Sequence, residues 1–264
     1  MLIVENIHKT FDPGTINEKV ALNGVDLTLN EGDFVTVIGG NGAGKSTLLN
    51  AIAGVWPVDN GSIKIDGVDV TGLPEYKRAA YIGRVFQDPM TGTAATMQID
   101  ENLALAARRG KKRGLRWGIT KKEHAEFREQ VKELNLGLED RMSVKVGLLS
   151  GGQRQSLTLL MATLQKPKLL LLDEHTAALD PKTAATVLDL SERIISEHNL
   201  TALMVTHNMK DAIVHGNRLI MMHEGRIILD IGGEQKKTLT VEDLLQKFEE
   251  VSGETFASDK AILA

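Results

Sequence analysis

The segment from Gly39 to Thr47 constrains the fold of this chain of 264 residues more than any other part of the sequence. It reads GGNGAGKST and fits the GxxxxGK[ST] pattern of a phosphate-binding loop, which requires a strand before it and a helix after it. Phe34 to Ile38 is rich in β-forming residues, and Lys45 to Ala53 has helical composition. The glycines would let backbone N–H groups converge on a polyphosphate at the positive end of that helix. The sequence therefore predicts a nucleotide-binding α/β domain.

Alternating and helical patterns follow one another along the chain and predict its organisation. Strands are expected at 2–4 and 20–29, a hairpin at 61–70, helical spacing between 100 and 165, and strands again at 169–172, 202–206 and in a 219–229 hairpin. Strands that alternate with helices favour a parallel sheet flanked by helices. We predict a mixed-sheet α/β core with an antiparallel β N-terminal part, in one domain with a core lobe of about 1–99 and 166–233, a helical subdomain of about 100–165 and a C-terminal helical tail of about 234–264.

Composition excludes several classes of protein. A formal charge of -4 and a pI near 6.0 argue against a surface built for nucleic acid, so no nucleic-acid partner is expected. The absence of cysteine leaves no disulfide framework and no thiolate zinc site. The polar first residues do not fit a signal peptide, and apolar runs fall far short of the roughly 20 residues that cross a bilayer. Any membrane role would have to come through a partner.

Two acids follow an apolar strand pattern and are candidates for the chemistry. Asp173 and Glu174 come directly after Leu169 to Leu172, which places them at the carboxyl edge of a buried strand, where open α/β sheets bind ligands. We expect Asp173 to hold magnesium through water, together with the Ser46 hydroxyl, and Lys45 to reach the β- and γ-phosphates. Glu174 is the expected general base. The alternative is that the acids cap the next helix.

A second glycine motif, Leu149-Ser150-Gly151-Gly152-Gln153, lies between the phosphate-binding loop and the acids. Ser150 is a good N-cap for the helical stretch that follows, so the motif forms a second anion cradle in a chain with one full phosphate loop. In this order and spacing the three motifs resemble the ATP-binding subunit of the ABC (ATP-binding cassette) transporters. The resemblance covers nearly the whole chain and implies a P-loop NTPase fold that binds ATP and Mg²⁺. It also implies that the Ser-Gly-Gly motif of one copy closes on the nucleotide of a second copy in a head-to-tail dimer.

The resemblance also implies roles for single residues. Gln87 matches the glutamine that touches magnesium and the attacking water, His207 the histidine that contacts the γ-phosphate, and Phe11 the aromatic residue that stacks on adenine; Asp180 belongs to a loop that couples the two sites. Catalytic roles are thus expected for Lys45, Gln87, Glu174 and His207, and metal contacts for Ser46, Gln87 and Asp173. The residues expected to contact ATP or couple the sites are Phe11, Gly39, Gly40, Asn41, Gly42, Ala43, Gly44, Lys45, Ser46, Thr47, Ser150, Gly151, Gly152, Gln153 and Asp180.

Three features depart from the family pattern or have no assigned role. His175 stands where the family often has proline, and the sequence leaves open whether it touches the catalytic water or shapes the loop. Eight of the fifteen residues from Arg108 to Lys122 are basic. This stretch would contact anionic headgroups or an acidic loop of a permease. The alternative is a solvated loop without a partner. Thr240 and Asp243 are suited to cap a helix over 240–251. Its apolar face is expected to pack on the core, as in most amphipathic surface helices; the alternative is that it docks on a partner.

The resulting hypothesis is an ATPase (ATP and water to ADP and phosphate) that energises solute transport at the cytoplasmic face of a membrane. Its partners would be a second copy of itself, integral membrane permease subunits and, indirectly, an extracytoplasmic solute-binding protein. Overall likeness favours bacterial importers of amino-acid-like solutes. The alternatives are a soluble ABC-type ATPase that acts on nucleic acid or the ribosome, and a small-molecule kinase, which would leave 149–153 without a purpose.

Overall fold

The computed structural model describes residues 1–111 and 118–252. Its strands are β1 (Leu2–Phe11), β2 (Lys19–Leu29), β3 (Phe34–Ile38), β4 (Asn60–Ile65), β5 (Val68–Asp69), β6 (Ile82–Val85), β7 (Leu169–Asp173), β8 (Ala202–Val205), β9 (Arg218–His223) and β10 (Arg226–Gly232). Its helices are α1 (Lys45–Ala53), α2 (Glu75–Arg78), α3 (Ile99–Ala107), α4 (Lys121–Lys132), α5 (Gly151–Thr163), α6 (Pro181–Glu197), α7 (Met209–Val214), α8 (Glu234–Lys237) and α9 (Val241–Ser252), with a 3-10 turn at Val146–Leu148.

The strands form two sheets. An antiparallel sheet has the order β2-β1-β4-β5, and a larger sheet has the order β10-β9-β3-β8-β7-β6. In the larger sheet β9 pairs with β3, β3 with β8, β8 with β7 and β7 with β6 in parallel, while β10 returns antiparallel beside β9. The predicted α/β architecture with an antiparallel N-terminal part is confirmed.

The leucines of β7 show why a strand of this composition lies in the middle of the fold. Leu169 and Leu171 belong to a cluster shared with α1 and the antiparallel sheet. Leu170 and Leu172 belong to a second cluster shared with α5 and α6. A parallel strand covered on both faces needs continuous apolar sequence rather than alternation. Asp173 ends this strand and is only partly buried, at the carboxyl edge of the sheet.

The helical region is not separate from the sheet, because its core is the second cluster. Phe127 and Val131 of α4 join that cluster, which also includes Leu172. Two residues of the basic stretch are engaged here as well. Arg108 pairs with Glu123 at 2.9 Å, and Arg109 donates to the Ala162 carbonyl oxygen at 3.0 Å. These two guanidinium groups thus contact other parts of the helical region. Residues 112–117 of the basic stretch lie outside the described residues.

The C-terminal helix α9 packs on the chain's own core. Leu244 and Phe248 are buried in a third cluster with residues of α7 and β9. Thr240 and Asp243 form the predicted cap, in which the Asp243 N–H donates to the Thr240 hydroxyl and the Thr240 N–H to the Asp243 carboxylate. The prediction of core packing is confirmed for these residues; the side chain of Val251 and residues 253–264 lie outside the described part of the chain.

Across 1–111 and 118–252, no helix combines the length and the apolar character that crossing a membrane requires.

Candidate functional site

The phosphate-binding loop runs from the end of β3 into α1, as predicted. Gly39 has a φ of 149°, and a Cβ at this position would collide with the Met222 carbonyl oxygen in β9. Gly44, with a φ of 103°, lies so close to β2 that a Cβ would approach the Ala21 carbonyl oxygen at 2.5 Å. Both positions need glycine because the neighbouring backbone leaves no room for a side chain and because the positive φ disfavours one.

Lys45 lies inside this loop. Its side chain is buried, and the ammonium group donates to the carbonyl oxygens of Gly39 at 2.7 Å and Gly40 at 3.1 Å. The cation is thus held at the centre of the loop. This position places positive charge next to the converging N–H groups at the start of α1, where a phosphate chain would bind.

A cavity of about 370 Å³ opens in front of the loop. This volume is in the usual range for sites that hold small molecules, roughly 300 to 1,000 Å³. The cavity brings together eight of the predicted nucleotide contacts, three of the four predicted catalytic residues and two residues that sequence reasoning missed. Its walls are formed by Phe11, Lys19, Ala21, Asn41, Gly42, Ala43, Gly44, Lys45, Ser46, Thr47, Glu174 and His207.

Phe11 lies at the end of β1 on the wall of this cavity. Its ring meets Trp56 edge to face, with ring centroids 4.9 Å apart, and the Lys9 ammonium lies 5.7 Å from its centroid. The ring is therefore held from two directions, and it also contributes to the cavity wall. This arrangement supports the predicted stacking role, which needs a ring face and no hydroxyl.

Glu174 and His207 meet because their strands are neighbours. β7 and β8 are parallel with Asp173 opposite Val205, so the residues that follow each strand leave the sheet at the same edge. The Glu174 N–H donates to the Val205 carbonyl oxygen at 3.0 Å, and Glu174 has a φ of 46°. Nε2 of His207 lies 2.6 Å from Oε2 of Glu174, whose side chain is only 10% exposed. The pair forms a polar part of the same cavity wall as the phosphate-binding loop.

Asp173 is partly buried beside this pair and is held by an arginine. Its Oδ2 lies 3.1 Å from the Arg84 guanidinium. Burial raises the pKa of the Asp173 carboxyl above its ordinary value, and the Arg84 hydrogen bond opposes that rise. Arg84 projects from β6, which pairs with β7 in register. The sequence signal for it was a single cation in the strand Ile82–Val85, and sequence reasoning did not use it.

His175 turns away from the cavity. It is 2% exposed, and its Nε2 lies 3.0 Å from the Ser191 hydroxyl in α6. That hydroxyl donates to the Val187 carbonyl oxygen, so the imidazole is the donor to Ser191. Burial lowers the pKa of His175 to about 4. Of the two interpretations that the sequence left open, the structure therefore favours a residue that shapes the loop after Glu174.

The second glycine motif lies at the start of α5. The Gln153 N–H donates to the Ser150 hydroxyl, and the Ser150 N–H donates back to the Gln153 amide oxygen. Ser150 and Gly151 are exposed, while Gly152 packs so tightly on α6 that a Cβ would collide with Cγ2 of Thr183. Asp180 accepts from the Thr183 N–H at 3.1 Å. Thr183 thus links the motif to Asp180.

Several predicted residues do not line the cavity in front of the phosphate-binding loop. Gly39 and Gly40 accept hydrogen bonds from Lys45, and Gln87 is exposed two residues after the end of β6. Asp173, Asp180 and the motif 149–153 also lie outside the cavity wall. The described chain therefore presents a nucleotide-sized cavity and, apart from it, an exposed helix start at Ser150 and Gly151.

The oxygen donors near the loop have the chemistry that magnesium requires. The Ser46 hydroxyl lines the cavity, and the Asp173 carboxylate lies at the adjacent sheet edge. Hard oxygen ligands suit Mg²⁺, which usually takes few groups from protein and the rest from phosphate and water. No cluster of three or more His, Cys, Asp or Glu side chains within 1–111 and 118–252 is placed to hold a metal by itself. The residues present fit an ion that arrives with a nucleotide.

Comparisons with known proteins agree with this site. Residues 22–177 match the family described as ABC transporter. The chain is 46% identical over 258 residues to the tyrosine transport ATP-binding protein of Clostridioides difficile, covering 94% of this chain and 99% of that protein. It is 36% identical to the methionine import ATP-binding protein MetN of Rhizobium etli, covering 79% of this chain and 56% of that protein. The chain thus spans little more than half the length of this second relative.

Solved structures give the same result for the fold. A dimeric ATP-binding cassette in a post-hydrolysis state with ADP and Pi matches 88% of this chain and 98% of its own, at a TM-score of 0.75 and 30% identity. The ADP form of another ABC transporter cassette matches 96% of this chain and 99% of its own, at a TM-score of 0.78 and 28% identity.

Proposed function

The chain belongs to the ABC transporter family as one of its ATP-hydrolysing subunits, and from that premise we propose that it powers uptake of an amino acid through a membrane permease. The cavity in front of the phosphate-binding loop carries this proposal, because it places Lys45, Ser46, Glu174 and His207 around one nucleotide-sized space. The loop N–H groups and Lys45 bind the phosphates, and Phe11 stacks on the base.

Glu174 and His207 carry out the proton chemistry of hydrolysis in this proposal. The attacking water needs an acceptor for its proton, and the Glu174 carboxylate on the cavity wall supplies one. His207 fixes the orientation of that carboxylate through their 2.6 Å contact and faces the same space. Magnesium, held by Ser46 and through Asp173 and Gln87, would neutralise charge on the phosphates.

The catalytic unit in this proposal is a head-to-tail pair of copies. The exposed Ser150 and Gly151 at the start of α5 form an anion cradle outside the chain's own cavity. In a pair, this cradle closes on the γ-phosphate held by the other copy, and Asp180 couples the two sites through Thr183. The dimeric cassette with ADP and Pi, 30% identical to this chain, supports such an assembly.

The substitution Glu174→Gln tests this scheme. Removing the acceptor while keeping the shape should lower ATP turnover by at least about a hundredfold, the lower range for a general base. The closed pair should then accumulate with MgATP, so light scattering should report twice the mass of the monomer. Glu197→Gln, at an exposed position in α6, is the matched control and should leave both measurements unchanged. A monomer with full turnover in the Glu174 variant would contradict the scheme.

The amino-acid cargo is proposed from the tyrosine transport relative that covers nearly the whole chain. The subunit would bind peripherally to permease subunits at the cytoplasmic face, with a solute-binding protein outside. Proteoliposomes that contain this subunit and its permease subunits should take up labelled tyrosine when ATP is inside. Uptake of spermidine in place of any amino acid would reject the cargo, and ATP turnover stimulated by nucleic acid but not by permease would reject the transport role.

A further inference from the structure

Arg84 occupies a place between three functional segments. Its guanidinium donates to the Asn50 amide oxygen in α1 at 2.8 Å and to the Asp173 carboxylate in β7 at 3.1 Å. The same guanidinium lies 4.6 Å from the centroid of the Phe86 ring, in the residue before Gln87. These contacts join the helix after the phosphate-binding loop, the acid expected to act on magnesium and the start of the segment that carries Gln87.

The pair formed by Arg84 and Asp173 is largely removed from water. The two side chains are 12% and 16% exposed, and the Arg84 Nε is buried without a hydrogen-bond partner among the described residues. A buried ion pair that leaves one N–H group without an acceptor adds little net stability to a fold, because the cost of desolvation offsets most of the attraction. Its contribution to stability is therefore a poor explanation for a cation at this position.

We propose that Arg84 is the counter-ion of Asp173 in the metal-free subunit, and that it weakens the binding of the magnesium that arrives with ATP. This inference rests on the proposed function, in which Asp173 acts on magnesium. The carboxylate must then be shared between the guanidinium and the ion, and the two cations repel each other across a partly dehydrated space. Asn50 and the Phe86 ring keep the guanidinium close after the ion has bound.

Coupling of this kind has to act in both directions. If Arg84 lowers the affinity for magnesium, then magnesium lowers the contribution of Arg84 to the stability of the fold by the same factor. Arg84 is a positioning residue in this scheme, since it acts through Asp173 and lies outside the wall of the nucleotide cavity. Its effect should appear in the magnesium requirement and leave ATP binding without metal nearly unchanged.

The decisive measurement is the magnesium concentration that half-saturates binding of a non-hydrolysable ATP analogue. Arg84→Met removes the charge and keeps apolar contact with Phe86, so the half-saturating concentration should fall about tenfold, a typical size for coupled sites. Arg84→Lys keeps a cation and should remain near the wild-type value. A Met variant that needs as much magnesium as the wild type, or more, would overturn the proposal.

A second readout tests the reciprocal effect. In EDTA, Arg84→Met should unfold at a lower temperature than the wild type, because Asp173 loses its counter-ion, and the deficit should shrink with the magnesium-bound analogue. An equal deficit under both conditions would also overturn the proposal. Arg84→Gln removes the charge but keeps a donor for Asp173, so it replaces the Met variant if that one does not fold.

Two controls separate this inference from the proposed function. Arg128→Met breaks an exposed pair with Asp140 of 2.6 Å and should change neither the magnesium requirement nor its coupling to stability. Binding of the analogue in EDTA reports on the phosphate-binding loop alone. If the wild type binds no nucleotide, the proposed function is refuted. If nucleotide binds normally and Arg84→Met needs as much magnesium as the wild type, only the role of Arg84 is refuted.

Discussion

At the scale of single residues, the cavity in front of the phosphate-binding loop owes part of its charge to Lys19. This exposed lysine begins β2 and lines the cavity, with Nζ 3.4 Å from where a Cβ on Gly42 would lie. Its ammonium group therefore lies beside the phosphate-binding loop, within the space where a phosphate would bind. Because it is exposed, its attraction for the nucleotide is screened by water and salt.

We expect Lys19→Ala to weaken ATP binding about fivefold, near 1 kcal/mol, as for other screened charge contacts. Adenosine, which lacks phosphate, should bind the variant and the wild type equally. Titration calorimetry with both ligands would measure the difference, and Lys132→Ala, at an exposed position in α4, is the matched control. Equal losses for ATP and adenosine would show that Lys19 shapes the cavity and does not contact phosphate.

The burial of His175 predicts a dependence of stability on pH. Its pKa is lowered from 6.5 to about 4 in the folded protein, mainly by burial and secondarily by His215. The unfolded chain therefore takes up the proton first, and stability present above pH 6.5 is lost as the pH falls toward 4. The slope from this residue is at most about 1.4 kcal/mol per pH unit.

The free energy of unfolding, measured with denaturant at several pH values from neutrality down to about 4, checks that prediction. In His175→Gln this part of the acid sensitivity should disappear, while His198→Gln, at an exposed position, should keep it. An unchanged slope in the His175 variant would show that other groups dominate the acid response.

At the scale of elements, the contact between α5 and α6 sets the position of the exposed helix start that we propose as an anion cradle. Gly152 lies against Cγ2 of Thr183, and Thr183 also donates its N–H to Asp180. We expect Gly152→Ala to separate the two helix starts and to destabilise the fold by about 1–3 kcal/mol, as overpacking does. ATP turnover should fall with it, since both the cradle and Asp180 would move.

A compensating substitution distinguishes crowding from other effects of the added methyl group. Thr183→Ser removes Cγ2 and keeps the backbone bond to Asp180, so it should restore most of the stability and turnover of the Gly152 variant. The single variant Gly151→Ala, which faces the flexible end of Leu179 at 3.2 Å, should have a smaller effect on stability. If the double variant regains neither stability nor turnover, crowding against Thr183 is not the cause, and the methyl group would instead disturb the exposed start of α5.

The elements were predicted well where a local pattern determines them. The loop from Gly39 to Thr47 lies between β3 and α1, and the cap of α9 by Thr240 and Asp243 forms as its spacing indicates. Arg84 and Lys19 could not be found in this way, because their contacts join segments that are distant in sequence: Arg84 meets Asp173 across the β6–β7 pair, and Lys19 meets Gly42 where β2 approaches the phosphate-binding loop. The direction of His175 was open for the same reason, since it depends on how α6 packs against the loop after Glu174.

At the scale of the whole molecule, the described part of the C-terminal region is bound to the core. Leu244 and Phe248 fill the third cluster, and the Phe248 ring meets His223 of β9 edge to face at 5.1 Å. Phe248→Ala should therefore lower the free energy of unfolding by about 3 kcal/mol, the lower range for a buried phenylalanine. Glu249→Ala, at the adjacent exposed position, should change it little.

Denaturant titration would compare the two variants of α9. Equal stabilities would mean that α9 is not bound to the core in solution and is available to a partner. Unimpaired ATP turnover in a folded Phe248 variant would further show that α9 supports the fold and not the chemistry.

The composition of β7 has a consequence for how the molecule folds. Its leucines are alike on both faces, so a slip of one residue past β8 would exchange them at little cost, and the apolar pattern alone leaves the alignment undetermined. Such a slip would move Asp173 from Val205 to Met204, away from Arg84 and into the apolar interior. The carboxylate thus fixes the register of β7 against β8, and a leucine in its place should slow refolding by permitting misaligned intermediates.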